Sequence, residues 1–234
     1  MKKIISFLKS FPWYGYVFAA GTILLQVTIY FITGTINSGR VGDIVPVDVK
    51  IAAIDDAIPF IVNSSIFYFA SYPYWFIAAL AVTRCGKEHI VNLAIGYAIC
   101  IFIGLFFFVF MPTYYDRVAE GVYQVVKQPG GLNGLLAFIY DNDGREVGNN
   151  LFPSFHCLVT MYWCLAAHFR KELPRGYKIF TIIMVILICT CTLTTKQHYF
   201  LDVVSGIGIA IVIFFIVKFI NPARFIFKKK VSQN

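Results

Sequence analysis

The sequence predicts an all-α polytopic membrane protein, a bundle of six transmembrane helices with short amphipathic helices on its outer face. Three observations carry this prediction. Of the 234 residues, 59% are hydrophobic and only 14% are charged, against about 25% charged in ordinary soluble domains. The mean hydropathy is +0.72. Six apolar stretches also reach or approach the roughly 20 residues that a helix needs to cross the hydrocarbon of a bilayer.

These stretches fall at 14–35, 59–83, 89–111, 152–169, 178–195 and 201–220. The first follows a basic start, "MKKIISFLKSFPW", with no small-residue cleavage site, so an uncleaved first span is expected rather than a signal peptide. The second contains Pro73, and the fourth is short. With no internal repeat or low-complexity tract, residues 1–234 read as a single integral membrane domain.

The formal charge of +8 would suggest nucleic acid in a polar chain, but here an asymmetric distribution about a bilayer accounts for it. With the N-terminus inside, the inner segments hold Lys2, Lys3, Lys9, Arg84, Lys87, Arg170, Lys171, Arg175, Lys178, Lys218, Arg224 and Lys228 to Lys230, 14 of the 20 basic residues. The outer segments hold Arg40, Lys50, Arg117, Lys127, Arg145 and Lys196. Lys and Arg concentrate on the cytoplasmic side of membrane proteins. Both termini are therefore expected in the cytoplasm, with the membrane expected to be a bacterial plasma membrane. Its lipids are the expected partners, no nucleic-acid partner is expected, and the oligomeric state is open. Lys228 to Lys230 suit anionic head groups inside.

Two outer segments, 36–58 and 112–150, mix apolar and polar residues and cannot span; short surface helices are expected there, serving as connectors or as a lid. The six cysteines, Cys85, Cys100, Cys157, Cys164, Cys189 and Cys191, form no C-x-x-C pair and read as small packing residues. Trp13, Trp75 and Tyr199 are expected interface anchors, and His89 and His168 interfacial residues on the inner side. Tyr114 and Tyr115 are candidates for a pocket wall.

The polar residues that the apolar background does not explain gather at the outer side. "NNLFPSFHC" opens the fourth stretch with Asn149, Asn150, Pro153, Ser154 and His156. Asn and Pro signal a helix start, which places Ser154 and His156 in a first turn, where free N–H groups favour an anion. "TTKQHYFLD" joins the fifth and sixth stretches and carries Lys196, His198 and Asp202. If the helix extends back to His198, the four-residue spacing puts His198 and Asp202 on one face, so that the carboxylate can accept the imidazole Nδ1–H and leave Nε2 free. "PTYYDR" brings Arg117 to the same side. Ionisable groups at span ends are costly against lipid, so a shared pocket is expected. Its chemistry suits phosphoryl transfer: Arg117, Lys196, Ser154 and helix amides hold phosphate oxygens, one histidine attacks phosphorus, and the other protonates the leaving oxygen.

These residues resemble a known family. "PSFH" (Pro153 to His156) is similar to the PSGH motif of the type 2 phosphatidic acid phosphatase superfamily, and "HYFLD" (His198 to Asp202) to the end of its SRxxxxxHxxxD motif. The resemblance implies a six-span fold, a phosphohistidine formed on His198, Asp202 orienting it, and His156 as general acid. It also implies Ser154, Arg117 and backbone amides on the phosphate, with no metal and no cofactor. The chain departs from the pattern at three places: Phe110 stands where KxxxxxxRP has lysine, Phe155 stands where PSGH has glycine, and Cys191 and Thr192 replace the SR pair. Lys196 is a candidate to supply the lost charge. The variant pattern is similar to the branch that includes inositol phosphorylceramide synthases, with sphingomyelin synthases as more distant relatives. The expected function is therefore a lipid-phosphate phosphatase acting on a monoester or pyrophosphate, with a lipid head-group phosphotransferase as the alternative. Two rivals from other classes stay open: a metal enzyme with His156, His198 and Asp202 as ligands, and a transporter or inactive relative.

Overall fold

The chain is described by a computed structural model over residues 10–231. Pro12, extended at φ −66° and ψ 144°, precedes the first long helix, α1 (Trp13–Ser38). There follow a four-residue helix, α2 (Ala52–Asp55), then α3 (Ser65–Val82), flanked by short 3₁₀ turns, and α4 (Lys87–Phe110). A strand, β1 (Tyr114–Asp116), leads through α5 (Val122–Val126) and α6 (Asn133–Asn142) to β2 (Val147–Asn149). The chain closes with α7 (Phe155–His168), α8 (Arg175–Thr194), α9 (Phe200–Ile220) and α10 (Ala223–Val231). Lys2, Lys3 and Lys9, and the side chains of Lys228 to Lys230, lie outside the described residues.

Five helical segments among the described residues are long and apolar enough to cross a membrane: Trp13–Ser38, Val62–Cys85, Lys87–Phe110, Arg175–Thr194 and Phe200–Phe227. They correspond to the first, second, third, fifth and sixth apolar stretches. Their outward faces carry large apolar side chains, among them Phe219, 91% exposed, and Phe110, 70% exposed. Such surfaces suit lipid better than water.

The fourth stretch behaves differently. It forms the 14-residue helix α7, about 21 Å long at 1.5 Å per residue. Helix does not begin at Phe152, as the apolar run suggests, because Pro153 holds its predecessor in an extended conformation and Ser154, also extended, is the N-cap. Nearly every side chain from Phe155 to Ala167 is buried, and α7 packs against α9, α8, α3 and α4. It is the central post of the bundle.

Close packing around that post relies on glycines, two of them at the end where α7 begins. A Cβ at Gly104 of α4 would stand 2.0 Å from the Phe155 ring. Gly104 thus makes room for Phe155, which also packs 4.7 Å from the Phe108 ring. A Cβ at Gly206 of α9 would stand 2.5 Å from the Ser154 carbonyl oxygen. Without hydrophobic driving force inside a bilayer, such close contact is what holds helices together.

The intervening segments correct two expectations. The all-α class is not complete, because β1 and β2 pair antiparallel, Tyr114 opposite Asn149 and Asp116 opposite Val147. Nor are residues 36–58 and 112–150 simple surface helices. The first contains only the four-residue α2, and its chain is pinned where Val47 N–H donates to Pro112 O at 3.0 Å. In the second, α6 buries Leu136, Ile139 and Tyr140 and exposes Phe138. Backbone that no long helix satisfies must find partners elsewhere, and here strand pairing and loop contacts provide them. These segments gather at one end of the bundle, with the C-terminus of α1, the start of α7 and the α8–α9 turn. All six cysteines are free and buried, as packing residues.

Candidate active site

The site begins where α7 and α9 start side by side. Ser154 Oγ accepts from Cys157 N–H at 3.4 Å, and Ser154 N–H donates to the Asp202 carbonyl at 3.0 Å. With Gly206 lying flush on Ser154, the two helix beginnings are in backbone contact.

The α8–α9 turn then sets His198. Lys196 has φ 53°, in the left-handed region, an ending that helices adopt just past the C-cap. The chain doubles back, and Thr192 O accepts from both Gln197 N–H (3.1 Å) and His198 N–H (3.2 Å). His198 therefore stands outside α9, which begins at Phe200 behind the N-cap Tyr199. This corrects the expectation of a shared helical face. The two groups still meet: His198 Nδ1 lies 3.4 Å from Asp202 Oδ2, within ion-pair reach but not aligned as a hydrogen bond. Asp202 Oδ2 also accepts from Tyr199 N–H at 2.8 Å, which locks the carboxylate. Burial pulls the His198 imidazole down, but Asp202, Cys157 and Asp143 outweigh it and leave the group above the ordinary 6.5.

His156, the second residue of α7, points into an aromatic enclosure. Its ring centroid is 4.0 Å from Tyr68, 5.1 Å from Trp75 and 5.9 Å from Tyr72, all on α3, and 6.2 Å from His198. Both of its nitrogens are buried without a hydrogen-bond partner. Among the described residues, twelve buried side-chain nitrogen or oxygen atoms lack a partner, and six of them belong to His156, His198, Asp202, Arg117 and Gln197. Buried polar groups are ordinarily paired, so this concentration marks a place built for a ligand. A cavity of about 300 Å³, within or near the ligand-pocket range, runs between α1, α3 and α6. Tyr30, Phe31, Tyr68 and Tyr72 line it, together with His156 and Asp143.

The two basic residues expected on phosphate are placed differently. Arg117 is fully buried. Its Nη1 donates to the carbonyls of Asp143 (2.8 Å) and Arg145 (2.7 Å), and its Nη2 to Asp143 Oδ2 (2.6 Å) and Gln197 Oε1 (2.8 Å). It also stacks 4.1 Å from the Tyr140 ring, and only Nε lacks a partner. Lys196 Nζ donates to the carbonyls of Asp55 (2.9 Å) and Ile58 (2.8 Å), tying the outer segment to the histidine turn. Both side chains brace the loops around His198.

Arg117→Ala would leave the Asp143 carboxylate buried without its cation. A loss of about 3–5 kcal/mol is expected, read as a lower midpoint of thermal unfolding in detergent. Arg117→Met with Asp143→Leu removes both charges and is expected to lose less; an unchanged midpoint in Arg117→Ala would show that the pair contributes nothing.

Asp143, Tyr30, Gln197 and Asp55 are not visible in the sequence as site residues. Asp143 accepts from the Tyr30 hydroxyl as well as from Arg117, and burial pushes its carboxyl above the usual range against the pull of Arg117. Gln197 links Arg117 to the histidine turn. Asp55 Oδ1 accepts from Phe200 N–H at 2.8 Å, serving the first turn of α9. Asn149 and Asn150 do not start α7, as expected, but bind α1: Asn150 Nδ2 donates to Tyr30 O and Thr33 Oγ1, both at 3.0 Å, and Asn149 Nδ2 to Ser38 Oγ at 2.8 Å. Trp75 and Tyr199 are not interface anchors either. Trp75 is buried against His156 and donates from Nε1 to Thr160 Oγ1 at 2.8 Å. Tyr199 is buried and stacks 4.6 Å from Tyr115. Among the described residues, no group of three or more His, Cys, Asp or Glu side chains is placed to hold a metal ion.

A family model described as the PAP2 superfamily matches residues 51–216. No curated protein and no solved structure matches the chain.

Proposed function

Because the chain belongs to the PAP2 superfamily, we propose that it is an integral membrane lipid-phosphate phosphatase working through a phosphohistidine on His198. The observation that carries this reading is the pair of imidazoles 6.2 Å apart, one beside a locked carboxylate and the other with both nitrogens unpartnered. In the first step the Nε2 lone pair of His198 attacks phosphorus, the bond to the lipid oxygen breaks, and His156 gives that oxygen its proton. In the second, water attacks phosphorus while His156 takes its proton, the P–N bond breaks, and His198 is regenerated. Asp202 orients His198 and stabilises its positive charge. The Ser154 hydroxyl and the N–H groups of Phe155 and His156, which have no intrahelical acceptors, donate to phosphate oxygens. Arg117 and Lys196 supply positive potential while bracing the turn, so that neither needs to leave its carbonyl partners. No step calls for a metal.

In this reading α7 is the sixth membrane-embedded helix, the end bearing α2 and the β1–β2 pair faces outward, and the termini are cytoplasmic. The excess of Lys and Arg at the other end supports that orientation. The lipid chain occupies the aromatic cavity and reaches it sideways from the bilayer. The same cavity supports a second reading, head-group transfer, in which a lipid alcohol takes the place of water.

The test is release of inorganic phosphate from phosphatidic acid, phosphatidylglycerol phosphate and a polyprenyl pyrophosphate in EDTA. The reading expects release by the wild type and none by His198→Ala. Activity that EDTA removes and a divalent metal restores would overturn the metal-free mechanism. If the wild type releases phosphate only as transfer to an added lipid alcohol, the second reading holds.

The raised His198 group fixes a pH dependence. Only the neutral imidazole attacks, so kcat/KM should fall as pH drops through the raised value, giving an acid limb above the ordinary 6.5. Asp202→Asn removes the main stabiliser of the imidazolium and should move the limb to lower pH as well as lower the rate. A limb that stays in place would show that it reports another group.

A further inference from the structure

The largest cavity described lies at the opposite end of the bundle, about 24 Å along α9 from Asp202 at 1.5 Å per residue. It encloses about 520 Å³ where the α3–α4 turn, the end of α7 and the end of α9 meet. Three cationic side chains line it from three elements, Lys87 in the first turn of α4, Arg170 just past α7 and Lys218 in the last turn of α9, with His89 beside them. One carboxylate, Glu88, lines it too, held by Asn221 Nδ2 at 3.2 Å.

The partners of these groups leave the cavity electropositive. Arg170 Nη2 is taken by the Cys85 carbonyl (3.0 Å) and Glu172 (2.8 Å), but its Nε is buried with no partner, as is His89 Nε2. Lys218 Nζ sits 3.6 Å over the Phe169 ring, and Lys87 Nζ 5.5 Å from the Tyr14 ring; among the described residues neither lysine has a carboxylate within ion-pair distance. Gly86, at φ 93°, turns the chain into α4, whose first-turn N–H groups add their partial positive charge. The unpartnered Arg170 Nε–H, beside two lysines and a helix start, calls for an anion with several oxygens. Beside them, Phe169 and Phe214 line the same cavity, so an apolar chain attached to that anion has a surface to lie on.

We propose that this cavity binds a phosphate group, as a phospholipid head group or as a free anion, at a second site independent of the histidines. Its residues take no part in the proposed reaction, so it can be present whether or not that reading holds.

The test uses the full chain in neutral detergent and reads the thermal midpoint against increasing dioctanoyl phosphatidylglycerol, dioctanoyl phosphatidylcholine or inorganic phosphate. Phosphatidylglycerol should stabilise the wild type and His198→Ala alike, and Lys87→Gln with Lys218→Gln should raise its half-saturating concentration about tenfold. Lys87→Gln alone, at an exposed position, should shift it in the same direction if the double variant does not fold. Inorganic phosphate acting with the same lysine dependence identifies a free anion, while stabilisation by the lipid alone identifies a head group. Equal stabilisation by phosphatidylcholine, or lysine variants that respond like the wild type, would overturn the proposal. An effect lost in His198→Ala but kept in the lysine variants would place the ligand at the histidine site and overturn it too, leaving the proposed function standing.

Discussion

His198→Ala is expected to abolish turnover, lowering kcat/KM by about 10³-fold or more while the protein still folds. The fold should survive because the structural bonds at this position come from the backbone. His198 N–H donates to Thr192 O, and Asp202 keeps its bond to Tyr199 N–H whatever side chain stands at 198. What disappears is the one imidazole poised by a locked carboxylate. Asp202→Asn is the companion variant. The amide oxygen can still accept from Tyr199 N–H, but the negative charge 3.4 Å from Nδ1 is gone, so a large loss of rate with little loss of stability is expected. More than a few per cent of wild-type activity in His198→Ala would remove it from the role of nucleophile.

His156→Phe is expected to lower the rate on a lipid phosphate by about 10²–10⁴-fold, the usual contribution of a positioned acid–base group. Phenylalanine keeps a ring against Tyr68 and Trp75, so packing is largely preserved. The diagnostic lies in the leaving group. A lipid alkoxide needs a proton as the P–O bond breaks, whereas p-nitrophenolate does not. The deficit should therefore shrink markedly with p-nitrophenyl phosphate in the first chemical step. An equal deficit on both substrates would mean that His156 only shapes the enclosure, a role its three aromatic neighbours make reasonable to test.

The difference between what the sequence discloses and what it hides follows from range. Apolar length is a local property, and five of the six apolar stretches appear as helices able to cross a membrane. The order of "PSFH" and "HYFLD" is likewise local, and the structure brings the two histidines together. The end of α7 nearest the site differs from the apolar run because composition alone extends the helix to Phe152, while the backbone restriction from Pro153 and the capping by Ser154 decide where it starts. The shared helical face of His198 and Asp202 failed for a similar reason: spacing of four suggests one turn, yet the left-handed Lys196 and the double acceptor Thr192 O put His198 before the helix.

Long-range partners left no local trace. Arg117 and Asp143 are 26 residues apart with nothing local to pair them, and Tyr30 meets Asp143 across 113 residues. The inward direction of the aromatic residues of α3 is not legible because 3.6-residue periodicity is faint in a helix apolar on every side. A signal is present for one of them: Trp75 follows Tyr72 and Tyr74 in the stretch "SYPYW", a density of polar-edged rings that lipid contact does not require. Phe155, a departure from the family motif, is explained only by Gly104, on another helix and far away in the sequence.

The most direct test of the phosphohistidine is to mix enzyme with a lipid phosphate, quench in alkaline denaturant, and map phosphate by mass spectrometry. The account predicts phosphate on His198 in the wild type, lost once the substrate is exhausted, and absent from the corresponding peptide of His198→Ala. Phosphate on Ser154, Cys157 or His156 instead, or full turnover by His198→Ala, would contradict it.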